Sequence, residues 1–409
     1  MNAINILLFD TPSNRIALKP FSDTRPTAKI RVGITTIEEK WNAYIPATYS
    51  YLTESYLQTK FPYISAEENL WINGSVLPNQ PLVDAIKKLK HNETLIYGDT
   101  IIAFWSKHTL SSCVYVDNIS KVHAKNISLS FTGEVIQLKN TWDIFTYNAQ
   151  AIVEDLKLIK STKTTEPLYD PHTIVYNLED IFIEEGAVIK AAILNAETGP
   201  IYIGKNAIVE ERAVIKGPVA IGEGAQVKVG SYISQGTTVG PYAKLGGEVI
   251  NSVIFGYSNK AHDGFLGHSV IGEWCNLGAC TTTSNLRNDY KTVTVWDNAI
   301  EGFVNTNLQF CGLFMGDYSK CGINTMFNTG TVVGVSTNLF GTGYFKRFVP
   351  SFTKGSPSEK LLVYELEKAL TSIENTMARR NKELTQADKS ILTHLSEEAM
   401  HIWLKSVIE

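Results

Sequence analysis

The chain has 409 residues, of which 44% are hydrophobic and 19% charged, and its 37 basic and 41 acidic side chains leave a net charge of -4. That balance excludes a disordered chain and a polyanion-binding surface, so no nucleic acid partner is expected. Five cysteines without a C-x-x-C pair fit neither a disulfide framework nor a structural zinc site. No basic-flanked leader opens the sequence and no apolar run approaches the roughly 20 residues of a membrane span, so the expectation is a cytoplasmic protein with no membrane partner.

Residues 1–165 show no long-range period. Short apolar runs at 4–9, 94–97 and 101–105 read as strands and 82–89 as helix, which together predict an α/β domain. Residues 160–171 read as a linker. Over 175–350 a different rule applies. Every sixth residue from Ile203 is aliphatic: Ile203, Val209, Ile215, Ile221, Val227, Ile233, Val239 and Leu245. Four positions after each of the first seven stands a small or β-branched residue (Ala207, Ala213, Val219, Ala225, Ser231, Thr237, Ala243), and glycine follows the aliphatic at Gly204, Gly222, Gly240 and Gly246. A period of six is neither helical nor strictly alternating; it marks a parallel β-helix, in which each unit supplies one short strand and one turn.

The pattern is weaker at Ile183 and Ile189, resumes at Phe265, Ile271 and Leu277, and returns at Met315, Cys321, Phe327 and Val333. The two interruptions, 247–264 and 282–307, are predicted as loops leaving the stack. After Pro350, residues 358–381 and 385–408 carry Leu, Ile and Met at helical spacing, with Ser358 and Thr385 as candidate helix starts. These helices, over 356–409, are expected to cap the open end of the β-helix.

Polar and basic side chains concentrate in the two interruptions. Acyl transfer to an amine needs a base, an oxyanion donor and a holder for the acyl carrier. His262, in Lys260-Ala-His-Asp-Gly264, is of the residue type whose unperturbed pKa of about 6.5 suits a base at neutral pH. His268, on a regular coil, reads as structural, and the other six histidines have no polar cluster near them in sequence.

The runs from Lys260 to Gly272 and from Asn276 to Asn285, followed by Lys291-Thr292, resemble the acetyltransferase half of the bifunctional N-acetylglucosamine-1-phosphate uridyltransferase/glucosamine-1-phosphate N-acetyltransferase family. The resemblance covers roughly residues 180–350. It implies a left-handed parallel β-helix, a homotrimer, and acetyl-CoA bound in the groove between subunits. By that resemblance His262 falls on the general base, Asn285 on the asparagine that helps hold base and substrate, and Lys291 on the lysine side of the sugar-phosphate pocket. Lys244, Tyr257 and Lys260 are further phosphate or sugar candidates on basic character and spacing. Two positions depart from the family: Cys280 replaces the second glycine of its G-A-G run, and Phe265 stands where a tyrosine is expected. The coils from Asn324 to Gly334 resemble the lining of a CoA channel, which makes Thr329 and Gly330 candidates for the pantetheine arm and Lys346 and Arg347 for a CoA phosphate.

The other half of that family opens with a strand and a glycine-rich loop that wraps nucleotide phosphates with backbone N–H groups. Here the spacing from Leu18 through Pro20, Phe21 and Ser22 to Pro26 matches the family, while Ser13, Asn14 and Arg15 occupy its glycine-loop positions. Charge from Arg15, Arg25, Lys29 and Arg31 is expected to substitute for backbone amides. Asn73 and Gly74 are expected to line the nucleotide cleft, and Asp99, after Leu95-Ile-Tyr-Gly98, resembles the family's Mg²⁺ ligand. The expectation is therefore an acetyl-CoA-dependent N-acetyltransferase for an amino-sugar phosphate, joined to a sugar-1-phosphate nucleotidyltransferase-like domain that makes or binds a UDP- or dTDP-sugar. The alternatives are a nucleotidyltransferase with a non-catalytic oligomerising β-helix, and a sugar-nucleotide-binding scaffold.

Overall fold

The computed structural model describes residues 5–106 and 126–408, with side chains through His401; Ile4, His108 and His123 lie outside the described residues. The chain forms two compact units, Met1–Ile30 with Thr35–Asn140, and Arg31–Ile34 with Thr141–Glu409.

The first unit is built on a six-stranded sheet. In spatial order its strands are Thr48–Leu52, Asn5–Phe9, Asn69–Asn73, Thr100–Ser106, Glu93–Tyr97 and Ile127–Ser130. The first three are parallel, and Asn69–Asn73 pairs antiparallel with Thr100–Ser106. Burial of alternate large apolar residues holds the sheet: Leu7, Phe9, Leu52, Trp71 and Phe104 form one cluster, with Trp71 and Phe104 stacked at 5.4 Å. Helix Ile37–Tyr44 starts at a capping box between Thr36 and Glu39. The predicted helix at 82–89 is Gln80–Lys87, started by Asn79, whose side chain accepts from the Leu82 N–H.

In the second unit the six-residue period folds as the sequence predicts, into a left-handed parallel β-helix. Strands of two or three residues stack into three sheets, with register carried from coil to coil, as in Ile201↔Val219↔Thr237 and Val214↔Tyr232↔Glu248. Ile203, Val209, Ile215, Ile221, Val227, Ile233, Val239 and Leu245 all point inward and are fully buried. At roughly 25 cal/mol per Å² of apolar surface removed from water, this column is the main stabilising feature of the unit.

Several expectations are corrected. Residues 247–264 do not leave the stack: they form strands Glu248–Ile250, Val253–Ile254 and Asn259–Lys260, each paired with its neighbours. The register is lost because turns are shortened, not because a loop is inserted. The second interruption does leave the stack, and contains an antiparallel hairpin of Thr294–Asp297 with Gly302–Asn305. Residues 160–171 are no free linker. Helix Asn148–Thr162 packs Ile152 and Leu156 against Phe182, Tyr202 and Ala220, and the Glu166 N–H then bonds the Ile183 carbonyl of the first coil.

The carboxyl-terminal helices are Leu366–Ala378 and Gln386–Ile408. Thr385 caps the second in a reciprocal box with Asp388, whereas residues near Ser358 form strand Leu362–Val363 instead of helix. That strand, antiparallel to Thr353–Gly355, covers the last edge of its sheet. Helix Leu366–Ala378 lies along the side of the solenoid and not across its end: the Lys320 ammonium donates to the Ser372 carbonyl and hydroxyl and to Thr376, and Arg380, just beyond the helix, bonds Asn259 at 3.0 Å.

Candidate functional site

The shortened turn builds the site. Across one corner of the β-helix, successive inward residues are Val227 and Ile233, then Leu245 and Val249, then Lys260 and Leu266. The middle turn is two residues shorter than those on either side, so a notch opens between them. It is an open concavity of about 340 Å³ lined by Gly230, Tyr232, Gly247, Glu248, Asp263, Gly264 and Phe265. The turn 261–264 contributes Asp263 and Gly264 to its wall and carries the neighbouring His262, which is exposed and whose ring makes no hydrogen bond or ion pair among the described residues. Gly264 adopts φ +120°, and a Cβ there would lie 2.1 Å from the Thr281 carbonyl of the next turn, so only glycine fits.

The notch itself is acidic. Glu248 and Asp263 are exposed carboxylates on its wall, and Tyr232 adds a phenol. An ammonium group suits it better than a phosphate. Sequence reasoning missed Tyr232 and Glu248, although the loss of two residues at Gly246-Gly247 was a readable signal.

The other candidates fall in different places. Lys260 turns inward, only 2% exposed, in register with Leu245 below it; its ammonium donates to the Gly246 carbonyl at 3.0 Å and the His262 carbonyl at 2.8 Å. It therefore meets no ligand, and burial pushes it down to about 8. Asn285 does not reach His262. Its amide donates to Nδ1 of His268 at 2.9 Å, and that ring is stacked on Phe310 and set edge-on to Phe145. Burial pushes His268 down to about 4, so it is neutral at pH 7 and accepts the Asn285 proton.

Tyr257 lies on another corner, between Tyr242 and Trp274, with ring centroids 5.2 and 4.2 Å away. Lys244 faces outward from strand Lys244–Leu245, and burial together with Arg380, Lys228 and Arg379 lowers its pKa. Lys291 is exposed beside Asp289, at 4.0 Å, in the segment that leaves the stack. Thr329 is buried, and Gly330, at φ +62°, packs so closely on that segment that a Cβ would lie 2.3 Å from the Thr294 carbonyl. Arg347 donates to the same carbonyl and to the Thr294 hydroxyl, and lies over Phe303 at 4.2 Å. Gly330 and Arg347 thus pack on the inserted segment and Thr329 is buried, so the three do not form an open CoA surface; Lys346 is exposed.

In the first unit, the glycine-loop positions form helix Pro12–Ala17. Thr11 accepts from the Asn14 N–H and Pro12 opens the helix, so a backbone without the family's glycines winds up instead of wrapping an anion. Arg15 is buried in a network with Asp10 at 3.0 Å, Thr53 and the Ser22 carbonyl. Arg25 is buried, with its carbonyl accepting from Arg15. Lys29 pairs with Glu38 at 2.8 Å, and Arg31, grouped with the second unit, donates to the Ile34 carbonyl. The expected substitution of side-chain charge is thus not what Arg15, Lys29 and Arg31 do.

Asn73 and Gly74 do sit at the carboxyl ends of the parallel strands, where the Gly74 N–H bonds the Phe9 carbonyl and Asn14 and Gln137 converge on Ser75. Asp99 occupies the exposed tip between the antiparallel strands Glu93–Tyr97 and Thr100–Ser106, and among the described residues no group of three His, Cys, Asp or Glu side chains could hold a metal. Both oxygens of Asp10, at the strand end, are already engaged by Thr27, Thr53 and Arg15. The residues present do not fit a resident Mg²⁺. No helix among the described residues is long and apolar enough to cross a membrane.

Known proteins resemble both units. The sequence model of a family described as sugar nucleotidyl transferase matches residues 6–164. A bifunctional sugar-1-phosphate nucleotidylyltransferase/acetyltransferase of Sulfurisphaera tokodaii is 33% identical over 221 residues, 48% of this chain and 55% of that protein. An uncharacterized acetyltransferase of Escherichia coli, YaiX, is 30% identical over 163 residues, 39% of this chain and 70% of that protein. The bifunctional protein GlmU of Methanocaldococcus jannaschii is 33% identical over 183 residues, 39% of this chain and 43% of that one. The chain thus spans about half the length of the bifunctional relatives it matches. The chain belongs to the acetyltransferase family represented by YaiX, and over parts of its length it is similar to the sugar nucleotidyl transferase family and to bifunctional sugar-1-phosphate nucleotidylyltransferase/acetyltransferases.

Proposed function

We propose that the second unit is an acetyl-CoA-dependent N-acetyltransferase for an amino-sugar phosphate, and that the first binds or makes a sugar nucleotide. The observation that carries the reading is the acidic notch walled in part by the turn that carries His262. Glu248 and Asp263 attract the acceptor as its ammonium form, and the unencumbered His262 ring takes the proton from it. The freed amine attacks the acetyl carbonyl, the C–S bond breaks, the proton on His262 passes to the departing CoA sulfur, and the second proton lost by the nitrogen as the amide forms is released to solvent. Exposed Lys291 and Lys346 are the remaining candidates for phosphate groups on the acceptor and on CoA. The active species is a homotrimer, in keeping with the sequence resemblance, and light scattering tests its mass.

Release of free CoA thiol from acetyl-CoA is expected only with an amino-sugar phosphate such as glucosamine 1-phosphate. His262→Ala should lower that rate by about 10² to 10⁴. An unchanged rate removes His262 from the mechanism, and no turnover with any amine acceptor favours a solenoid that serves assembly alone.

A further inference from the structure

We propose that Lys260 is a positioning residue for His262: its buried ammonium ties the His262 carbonyl to the Gly246 carbonyl and so fixes the turn 261–264 beside the notch. The inference rests on the acyl-transfer reading for its functional meaning, but the tether itself does not.

Three observations converge on it. Lys260 occupies an inward position of the solenoid that Leu245 fills one coil below and Leu277 one coil above. An ammonium in that column costs stability that an aliphatic residue would not, and such a departure from the local rule points to a site. The turn it serves also lacks the support that neighbouring turns have. The coil-to-coil ladder reaches the Gly246 N–H bonded to the Lys260 carbonyl at 2.7 Å and resumes at the pair Glu248↔Phe265. Between these points the turn below is two residues short, and none of the turn-to-turn backbone hydrogen bonds outside the strand ladders reaches Ala261, His262 or Asp263 among the described residues. The Lys260 ammonium bridges this gap, with one bond to each turn, at 3.0 and 2.8 Å. A lysine reaching from the core can span two turns that the backbone alone cannot join, and the same shortening that opens the notch leaves the His262 turn in need of such a bridge.

Lys260→Met tests the tether, since methionine is a close apolar match for the lysine stem and suits the column. The melting temperature is expected to stay level or rise. Hydrogen exchange of the peptide containing 261–264 is expected to accelerate, and kcat for CoA release to fall by about 10- to 100-fold with KM for acetyl-CoA little changed, because misplacing a base by about 1 Å costs that much. Leu245→Met, one coil below, controls for a changed side chain in the inward column and should leave exchange and kcat as they are. Unchanged exchange at 261–264 overturns the proposal, as does a fall in kcat that merely follows a fall in melting temperature. Should the wild-type protein show no acyl transfer, the acyl-transfer reading fails by itself, and the exchange measurement still decides for or against the tether.

Discussion

Two histidines six residues apart lead opposite lives. His262 stands in water on the turn 261–264, while His268 is held in a pocket of Phe145 and Phe310 and is pushed down to about 4 by burial. Its folded pKa lies below the unfolded value of about 6.5, so the unfolded chain binds the extra proton first. Stability is therefore complete above pH 6.5 and is lost as pH falls toward 4, by on the order of 3 kcal/mol. Urea midpoints measured between pH 7 and 4 should show this loss in the wild type and much less of it in His268→Gln; equal slopes would place the acid sensitivity elsewhere. His268 reads as structural from sequence alone, and its burial agrees. Its bond to Asn285 was not legible, because the two residues are 17 positions apart and only the departure of the inserted segment brings them within 2.9 Å.

At the scale of the element, the turn length decides what the solenoid can do. A coil that keeps six residues per side presents a smooth face; removing two at Gly246-Gly247 leaves a notch walled in part by the next turn. The loss of register is visible in the sequence, yet it reads equally as a loop inserted or a turn shortened, and only strand pairing separates the two. Gly264 marks how tightly that next turn is packed. Gly264→Ala should destabilise the protein by on the order of 1–3 kcal/mol and displace the His262 turn, through both the unfavourable φ and the clash with Thr281. A melting temperature equal to that of the wild type would show that the turn relaxes freely.

On the scale of the molecule, the chain divides into two units, and the first pairs a mixed sheet with a helix, Pro12–Ala17, at the position of the family's glycine loop. Asn73 and Gly74 remain at the carboxyl ends of parallel strands, where ligands of open α/β sheets bind. If the unit turns over, pyrophosphate should be released from UTP or dTTP with a sugar 1-phosphate, and Asp99→Ala should leave that rate within about twofold, since Asp99 stands at an exposed hairpin tip and belongs to no group of three metal-ligating side chains among the described residues. A large loss in Asp99→Ala would restore it as a metal ligand.

By itself the sequence determined the β-helix, because a six-residue period admits one way to bury an aliphatic column, and it singled out His262 by its place in a disturbed coil. It also located the α/β strands and the Thr385 helix start, whose causes are local. What the tertiary structure decided was direction: Lys260, Arg15 and Arg347 have the composition of ligand-binding residues, but each side chain turns toward backbone or buried partners of its own chain. Long cationic side chains reach several ångströms from their Cα, so their partners are chosen by the packing of neighbouring coils and strands, which no local pattern of residues records.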